Sequence, residues 1–110
     1  MIEPWVWAPE RVSKNSHSLF HWRDGRAIVE MAGEINGSAA AEVCYRIELL
    51  GLRECTLDFS QVKVIELFGS RVLACGLKSL RKNGILFELD GLPESVAETL
   101  CLGGVIEALV

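Results

Sequence analysis

The sequence predicts one α/β domain, because segments with the two-residue period of a β-strand alternate with segments that have the apolar spacing of an amphipathic helix. Asp24-Gly25 supplies a tight turn between the first two strand-like segments. Gly51 and Asn83-Gly84 follow two of the helical segments, where a left-handed residue commonly ends a helix. A hairpin followed by helix, strand, helix, strand and helix predicts a sheet with some parallel strands and helices packed against it.

The first half of the domain contains the hairpin and one helix. The hairpin strands are "LFHW", which begins at Leu19, and "RAIVEMAG". We expect "GEINGS", residues 33–38, to form a loop in which Ser38 caps the next helix. The apolar spacing predicts that this helix buries Ala40, Val43, Cys44, Ile47 and Leu50.

The second half contains two further strands and two further helices. "CTLDF" and "ILFEL" are predicted to join "AIVEM" as the central strands of the sheet. Between them, a helix from about Ser70 to Lys82 is expected to bury Val72, Leu73, Gly76, Leu77 and Leu80. After Pro93, a last full helix is expected to bury Val96, Ala97, Leu100 and Cys101. "VIEAL" is predicted to be a short helical tail.

Composition narrows the classes of function. The formal net charge of −4 argues against nucleic-acid binding through a broad basic surface. No apolar run reaches the roughly 20 residues that cross a bilayer, which argues against direct membrane insertion. The first residues lack the basic and apolar regions of a signal peptide, so we expect a cytoplasmic location.

Residues 1–18 are predicted to be an N-terminal extension, and residues 19–110 the domain itself. Pro4 and Pro9 flank Trp5 and Trp7 in this extension. The favoured interpretation is a tail whose tryptophans lie on the domain or on a second copy of it. The alternative is a recognition segment, because Trp is frequent at binding hot spots.

Chemically reactive residue types do not form a catalytic or metal-binding motif in this sequence. Cys44, Cys55, Cys75 and Cys101 contain no C-x-x-C pair, and we expect reduced thiols and no metal ion. Asp58, Glu66 and Glu88 follow or end strand-like segments, where a metal could draw them together, but solvated or capping carboxylates are the favoured interpretation. Neither common phosphate-binding loop is present. We therefore expect no enzyme activity and no cofactor.

The sequence "LDFSQVKVIELFGSRVLACGLKSLRKNG" resembles a STAS domain, the family of anti-sigma-factor antagonists and of the cytoplasmic domains of sulfate transporters. The resemblance extends from about Leu19 to Leu109 and includes "GEI" before the first helix and "GILFELDGLPESVAETLCLGGVIEAL" at the end. It implies a mixed sheet of four or five strands, helices mainly on one face, and no catalytic activity.

The regulatory members of the family have Asp-Ser-Ser-Gly before the second helix, and a partner kinase phosphorylates the Ser next to Gly. Alignment on Gly69 puts Glu66 at the Asp position, Leu67 at the first Ser and Phe68 at the phosphoacceptor position. A phosphate is stabilised at a helix N-terminus, but Phe has no oxygen to accept one. Ser70 is the nearest hydroxyl; we weigh local capping against phosphorylation for it and favour capping.

Two interpretations of Leu67 and Phe68 stay open at this point. They either fold back into the core beside Val72 or form an exposed apolar contact surface. The expected partner-binding surface comprises Glu66, Leu67, Phe68, Gly69, Ser70 and Arg71. An acidic partner would also explain the four basic residues of this helix, Arg71, Lys78, Arg81 and Lys82, although the last three also suit a helix C-terminus.

The resemblance implies three functions. The leading one is a bacterial regulatory module that resembles an anti-sigma-factor antagonist and binds a protein partner, an anti-sigma factor or kinase-like protein, but has no phosphoserine control. The second is a cytoplasmic accessory subunit that docks on the ATPase of an ABC-type lipid transporter. The third, nucleotide sensing, is disfavoured by the missing phosphate loop. The oligomeric state, including a homodimer, is left open.

Overall fold

The computed structural model describes residues 15–109. A four-stranded mixed sheet has the order β1-β2-β3-β4 and is built from β1 (His17–Arg23), β2 (Arg26–Ile35), β3 (Glu54–Ile65) and β4 (Leu86–Asp90). Strands β1 and β2 are antiparallel, whereas β2, β3 and β4 are parallel neighbours. The helices are α1 (Gly37–Leu50), α2 (Leu67–Lys82), α3 (Glu94–Gly103) and α4 (Val105–Ala108). The predicted α/β fold is confirmed.

The hairpin forms as its turn residues predict. Asp24 and Gly25 both have positive φ angles, of 53° and 78°, and Arg23 pairs directly with Arg26. Such a two-residue turn matches the right-handed twist of the flanking strands. The Asp-Gly dipeptide thus fixes the register of β1 against β2.

The region predicted to be a loop at residues 33–38 belongs instead to β2 and α1. Gly33, Glu34 and Ile35 continue β2, because the second half of β3 extends alongside them and Ile35 pairs with Ile65. Asn36, and not Ser38, caps α1: its Oδ1 accepts a hydrogen bond of 2.8 Å from the Ala39 backbone N–H. Strand β3 is correspondingly longer than the predicted "CTLDF" and includes "SQVKVI".

Strand β4 lies at one edge of the sheet, so the expectation that it would be central is wrong. Only β3 pairs with it among residues 15–109, through Cys55↔Phe87 and Leu57↔Leu89. Whether a strand lies at the edge or in the centre of a sheet depends on which strands pair with it in three dimensions. The apolar pattern of "ILFEL" carries no information about this pairing.

Among residues 15–109, one apolar core fills the space between the sheet and the helices. Its fully buried side chains include Val29 and Leu57 from the central strands and Ile47, Leu73, Leu77 and Leu100 from the helices. Two residues expected in the core are exposed, because Leu50 ends α1 at the rim and Cys101 lies on the outer side of α3. Val72, Gly76 and Ala97, which were also expected to be buried, are only partly buried. None of the described helices is both long and apolar enough to cross a bilayer.

Candidate partner-binding surface

Helix α2 begins without a side-chain cap. Glu66 is its N-cap residue, yet the Glu66 side chain makes no capping hydrogen bond. The backbone holds the helix start instead: the Glu66 N–H donates to the Ile35 carbonyl oxygen over 3.0 Å, and the Ser70 N–H donates to the Glu66 carbonyl oxygen over 2.8 Å. The helix consequently starts at Leu67, three residues before the predicted start at Ser70.

Gly69 explains how this helix start can lie so close to the junction of β2 and α1. A Cβ atom at Gly69 would lie 2.8 Å from the Ile35 carbonyl oxygen and 3.0 Å from the carbonyl carbon of Asn36. Any larger residue would push the two backbones apart. The buried Gly69 therefore directs its two predecessors, Leu67 and Phe68, away from the core.

Leu67 and Phe68 are exposed to solvent, with 42% and 61% of their surface accessible. The interpretation in which they fold back into the core is therefore wrong. Exposed Arg71 follows one turn after Phe68 on the same side of the helix. Of the six residues expected to form the surface, Glu66, Leu67, Phe68 and Arg71 face solvent.

Ser70 lies on the inner side of α2 and is fully buried. Its hydroxyl donates a hydrogen bond of 3.0 Å to the Thr99 carbonyl oxygen in α3, so it does not cap α2 as we expected. Gly103 packs on it so closely that a Cβ atom there would lie 2.5 Å from the Ser70 Cβ atom. A kinase could reach the Ser70 hydroxyl only after α3 had moved away from α2.

An apolar groove of about 390 Å³ runs between α1 and α2 beside Phe68. Tyr45 of α1, which is 42% exposed, and the partly buried Val72 of α2 contribute to its walls. Gly76 brings the helices together, since a Cβ atom there would lie 2.9 Å from the Cys44 Cβ atom. The sequence does not predict this groove, because the apolar spacing of α1 identifies only its buried face, and Tyr45 lies outside that pattern.

Basic residues lie along the exposed side of α2 between Phe68 and the C-terminus of the helix. Arg71, Lys78 and Lys82 are exposed, and Lys78 and Lys82 line a second hollow between α2 and α4 together with Glu107. Arg81 has a different role, because its Nη1 donates to the Leu109 carbonyl oxygen. Three of the four basic residues are thus available to an acidic partner.

The three carboxylates considered for a metal are not brought together. Asp58 accepts a hydrogen bond of 2.9 Å from the Ser60 backbone N–H, and Glu88 forms a 2.5 Å ion pair with Arg26. Glu66 follows the far end of β3, about 25 Å along the strand from Asp58. Within residues 15–109, no three His, Cys, Asp or Glu side chains are grouped for a metal ion.

The four cysteines differ in environment. Cys44 and Cys55 are buried, and loss of solvation raises the pKa of each thiol from 9.0 to about 12. Cys75 and Cys101 are exposed. All four are free thiols in the structure, and Trp5 and Trp7 lie outside the described residues.

Comparison with known proteins now identifies the family. A model of the STAS domain family matches residues 20–109, nearly the whole described region. The chain belongs to the STAS domain family. A comparison with curated protein sequences finds no match.

Solved structures share the fold of this STAS domain. An anti-sigma factor antagonist from Mycobacterium paratuberculosis has a TM-score of 0.69 at 20% identity, covering 89% of this chain and 86% of that chain. The unphosphorylated form of the anti-sigma factor antagonist SpoIIAA has a TM-score of 0.58 at 10% identity, covering 77% of this chain and 82% of that chain. These identities establish a common fold and no more.

Two larger proteins contain a similar region. The structure of Mglu has a TM-score of 0.61 at 25% identity over 71% of this chain, and that of SLC26A9 has 0.62 at 16% identity over 86%. The chain spans about a fifth of each of these two proteins, 20% and 21%.

Proposed function

We propose that this STAS domain is a non-enzymatic regulatory module that binds a protein partner through the exposed side of α2. The observation that carries the proposal is the 61% exposure of Phe68 at the start of that helix. An exposed aromatic ring buries a large apolar area on binding and loses little conformational entropy, which makes it a typical interface anchor. The family supports the same class of function, because its members are generally regulatory domains without catalysis.

The surface favours a partner with both apolar and acidic groups. Phe68 lies beside the groove between α1 and α2, which can receive an apolar side chain of the partner. Arg71, Lys78 and Lys82 follow along the same helix, and α2 contains no acidic residue. Opposite charges across an interface speed association and exclude wrong partners. An acidic segment with one large apolar residue fits this arrangement.

We propose that the domain binds its partner constitutively and that phosphorylation does not switch this binding on or off. The resemblance of the sequence around Gly69 to the family motif puts Phe68, which has no hydroxyl, at the phosphoacceptor position. Ser70, the neighbouring hydroxyl, is fully buried and donates to Thr99. Both observations favour a contact surface that does not depend on a kinase.

The test compares three versions of the full chain as bait in a lysate of the source organism: wild type, Phe68→Ser and Leu102→Ser. Leu102 is the matched control, because it is 77% exposed but lies on α3, away from the groove. Loss of one buried interface aromatic costs about 2–4 kcal/mol of binding free energy. We expect one protein to be retained by wild type and Leu102→Ser and lost with Phe68→Ser.

The identity of the captured protein separates the two leading functions, since an anti-sigma factor and a transporter ATPase are readily distinguished by mass spectrometry. The melting temperature of each bait shows whether the variant is folded. Equal capture by all three baits would refute the Phe68 surface. A strongly lowered melting temperature of Phe68→Ser, with unchanged affinity per folded molecule, would make Phe68 a structural residue.

A further inference from the structure

The two edges of the sheet differ in how they are protected against pairing with another strand. Strand β4 has only five residues and exposes Glu88 and Asp90. Strand β1 has seven, "HSLFHWR", with no acidic residue and no proline, and it pairs with β2 at every position without a bulge. Natural edges are usually blunted by charge, proline, bulges or shortness. Strand β1 has none of these protections except Arg23 at its end.

On the side away from β2, strand β1 presents regularly spaced backbone hydrogen-bonding groups. Arg23 and Arg26 flank the two-residue turn and form a hydrogen-bonded pair, as in hairpins of this type. The bonding direction alternates along an antiparallel strand, so Ser18, Phe20 and Trp22 direct their backbone N–H and C=O groups away from β2. Among residues 15–109, no strand meets these groups.

We propose that β1 pairs antiparallel with β1 of a second copy of this chain, with Phe20 opposite its own symmetry mate. The two sheets then form one continuous sheet of twice the width. In this register Ser18 lies opposite Trp22 of the other copy, Leu19 opposite His21, and His17 opposite Arg23. Each of the pairs that involve Ser18, Phe20 and Trp22 exchanges two hydrogen bonds.

The side chains of β1 are self-complementary in this register. No carboxylate takes part, and Arg23, the only Lys, Arg, Asp or Glu residue of the strand, lies opposite His17 and not opposite its own symmetry mate. Pairing of β4 with itself would instead bring two copies of Glu88 or Asp90 close together, which is unfavourable. The charge pattern therefore selects β1 as the edge that accepts a second copy.

The proposed contact also accounts for the exposure of Trp22, which is 67% accessible. Arg46 of α1 stacks 4.4 Å from the centroid of the Phe20 ring, and its Nη1 donates to the Ser18 Oγ over 2.8 Å. Directly opposite residues in a sheet have Cβ atoms about 5 Å apart. Trp22 of the second copy, opposite Ser18, then covers the other side of the Arg46 guanidinium, where a cation–π contact is favourable.

This surface is separate from the proposed partner-binding surface, since it involves β1 and Arg46 and leaves Phe68 free. One strand pair gives an interface at the small end of specific contacts, so we expect a dissociation constant of roughly 1–100 μM. The dimer and the partner complex can therefore be tested, and can fail, independently.

The experiment is sedimentation velocity of the full chain between about 1 and 200 μM with reductant present. Leu19→Lys and Trp22→Lys change exposed positions on β1, and the second places a cation beside Arg46 of the other copy. Leu86→Lys is the matched control, because Leu86 is 53% exposed on the opposite edge strand. We expect a reversible wild-type dimer, weakened at least tenfold by each β1 variant and unchanged by Leu86→Lys.

Three results would overturn the proposal. The first is a wild-type chain that stays monomeric up to 200 μM. The second is a dimer that Leu86→Lys weakens as much as Trp22→Lys, which would place the contact at β4 or at the end of the sheet that both residues line. The third is a dimer that persists in both β1 variants, provided circular dichroism shows that they are folded. Should one β1 variant misfold, the other decides.

Discussion

In its first turn, helix α2 has small residues on the side that faces the domain, whereas its solvent-facing side carries an aromatic ring there and basic residues further along. The inner side includes Gly69 and Ser70, which lie against the backbone of Ile35 and Asn36 and against α3. The outer side includes Phe68, Arg71, Cys75, Lys78 and Lys82, all exposed. Small residues permit close packing of backbones, whereas exposed residues carry no packing constraint. Substitutions on the inner side should change stability, and those on the outer side should change binding.

The largest loss of stability is expected where α3 meets the inner side of α2. Gly103→Ala inserts a methyl group against Ser70, whose Cβ atom would lie 2.5 Å away, and the crowding outweighs the better helix propensity of Ala. We expect the free energy of unfolding to fall by about 2 kcal/mol in urea unfolding experiments. Leu102→Ala in the same turn is the control, because Leu102 is 77% exposed, and it should change stability by less than about 0.5 kcal/mol. An unchanged unfolding midpoint for Gly103→Ala would contradict this close contact.

A smaller effect is expected where α2 meets α1. Gly76→Ala crowds the Cys44 side chain and should lower the free energy of unfolding by about 1 kcal/mol. Cys44→Ala removes the sulfur that the new methyl group meets first, so the double variant should be more stable than the two single effects predict, by about 1 kcal/mol. Gly76→Ala combined with Cys55→Ala is the control and should be additive, since Cys55 lies in β3. Additivity of the Gly76–Cys44 pair would argue against direct contact between the helices.

Local sequence patterns predicted those parts of the fold that local chemistry determines. Asp24-Gly25 specifies the hairpin turn because both residues tolerate positive φ angles. Asn83-Gly84 likewise marks the end of α2, where Gly84 has a φ of 92°. Helix α2 starts three residues before the predicted Ser70, because no side chain caps it and the sequence gives no signal for the true start. Contact of Gly69 with the end of β2 determines that start, and such a contact becomes visible only in three dimensions.

The sequence predicts part of the candidate surface, and the structure changes which residues belong to it. The sequence placed Leu67 and Phe68 at a helix start, but whether they are buried depends on where α1 and the end of β2 lie. The groove beside Phe68 also includes Tyr45, a residue more than 20 positions away along the chain. Ser70 was expected on the surface because it follows Gly69. It is buried because the helix begins earlier and turns that position towards α3.

The smallest expected effect distinguishes the cysteines of the interior from those of the outer surface. Burial raises the pKa of Cys44 and Cys55 from 9.0 to about 12, so between these values only the unfolded chain ionises at these positions. Unfolding then releases protons, and the stability that is fully present well below pH 9 is lost progressively as the pH rises through 9 towards 12. At pH 9, where the unfolded thiol is half ionised, the loss is about 0.4 kcal/mol per buried thiol.

Urea unfolding at pH 7.5 and 9.0, with reductant, should show that the free energy of unfolding decreases less between the two pH values for Cys44→Ala and Cys55→Ala than for wild type. Cys75→Ala and Cys101→Ala, which change exposed thiols, should retain the wild-type decrease. The same pH dependence in all four variants would mean that burial does not suppress ionisation of the interior pair.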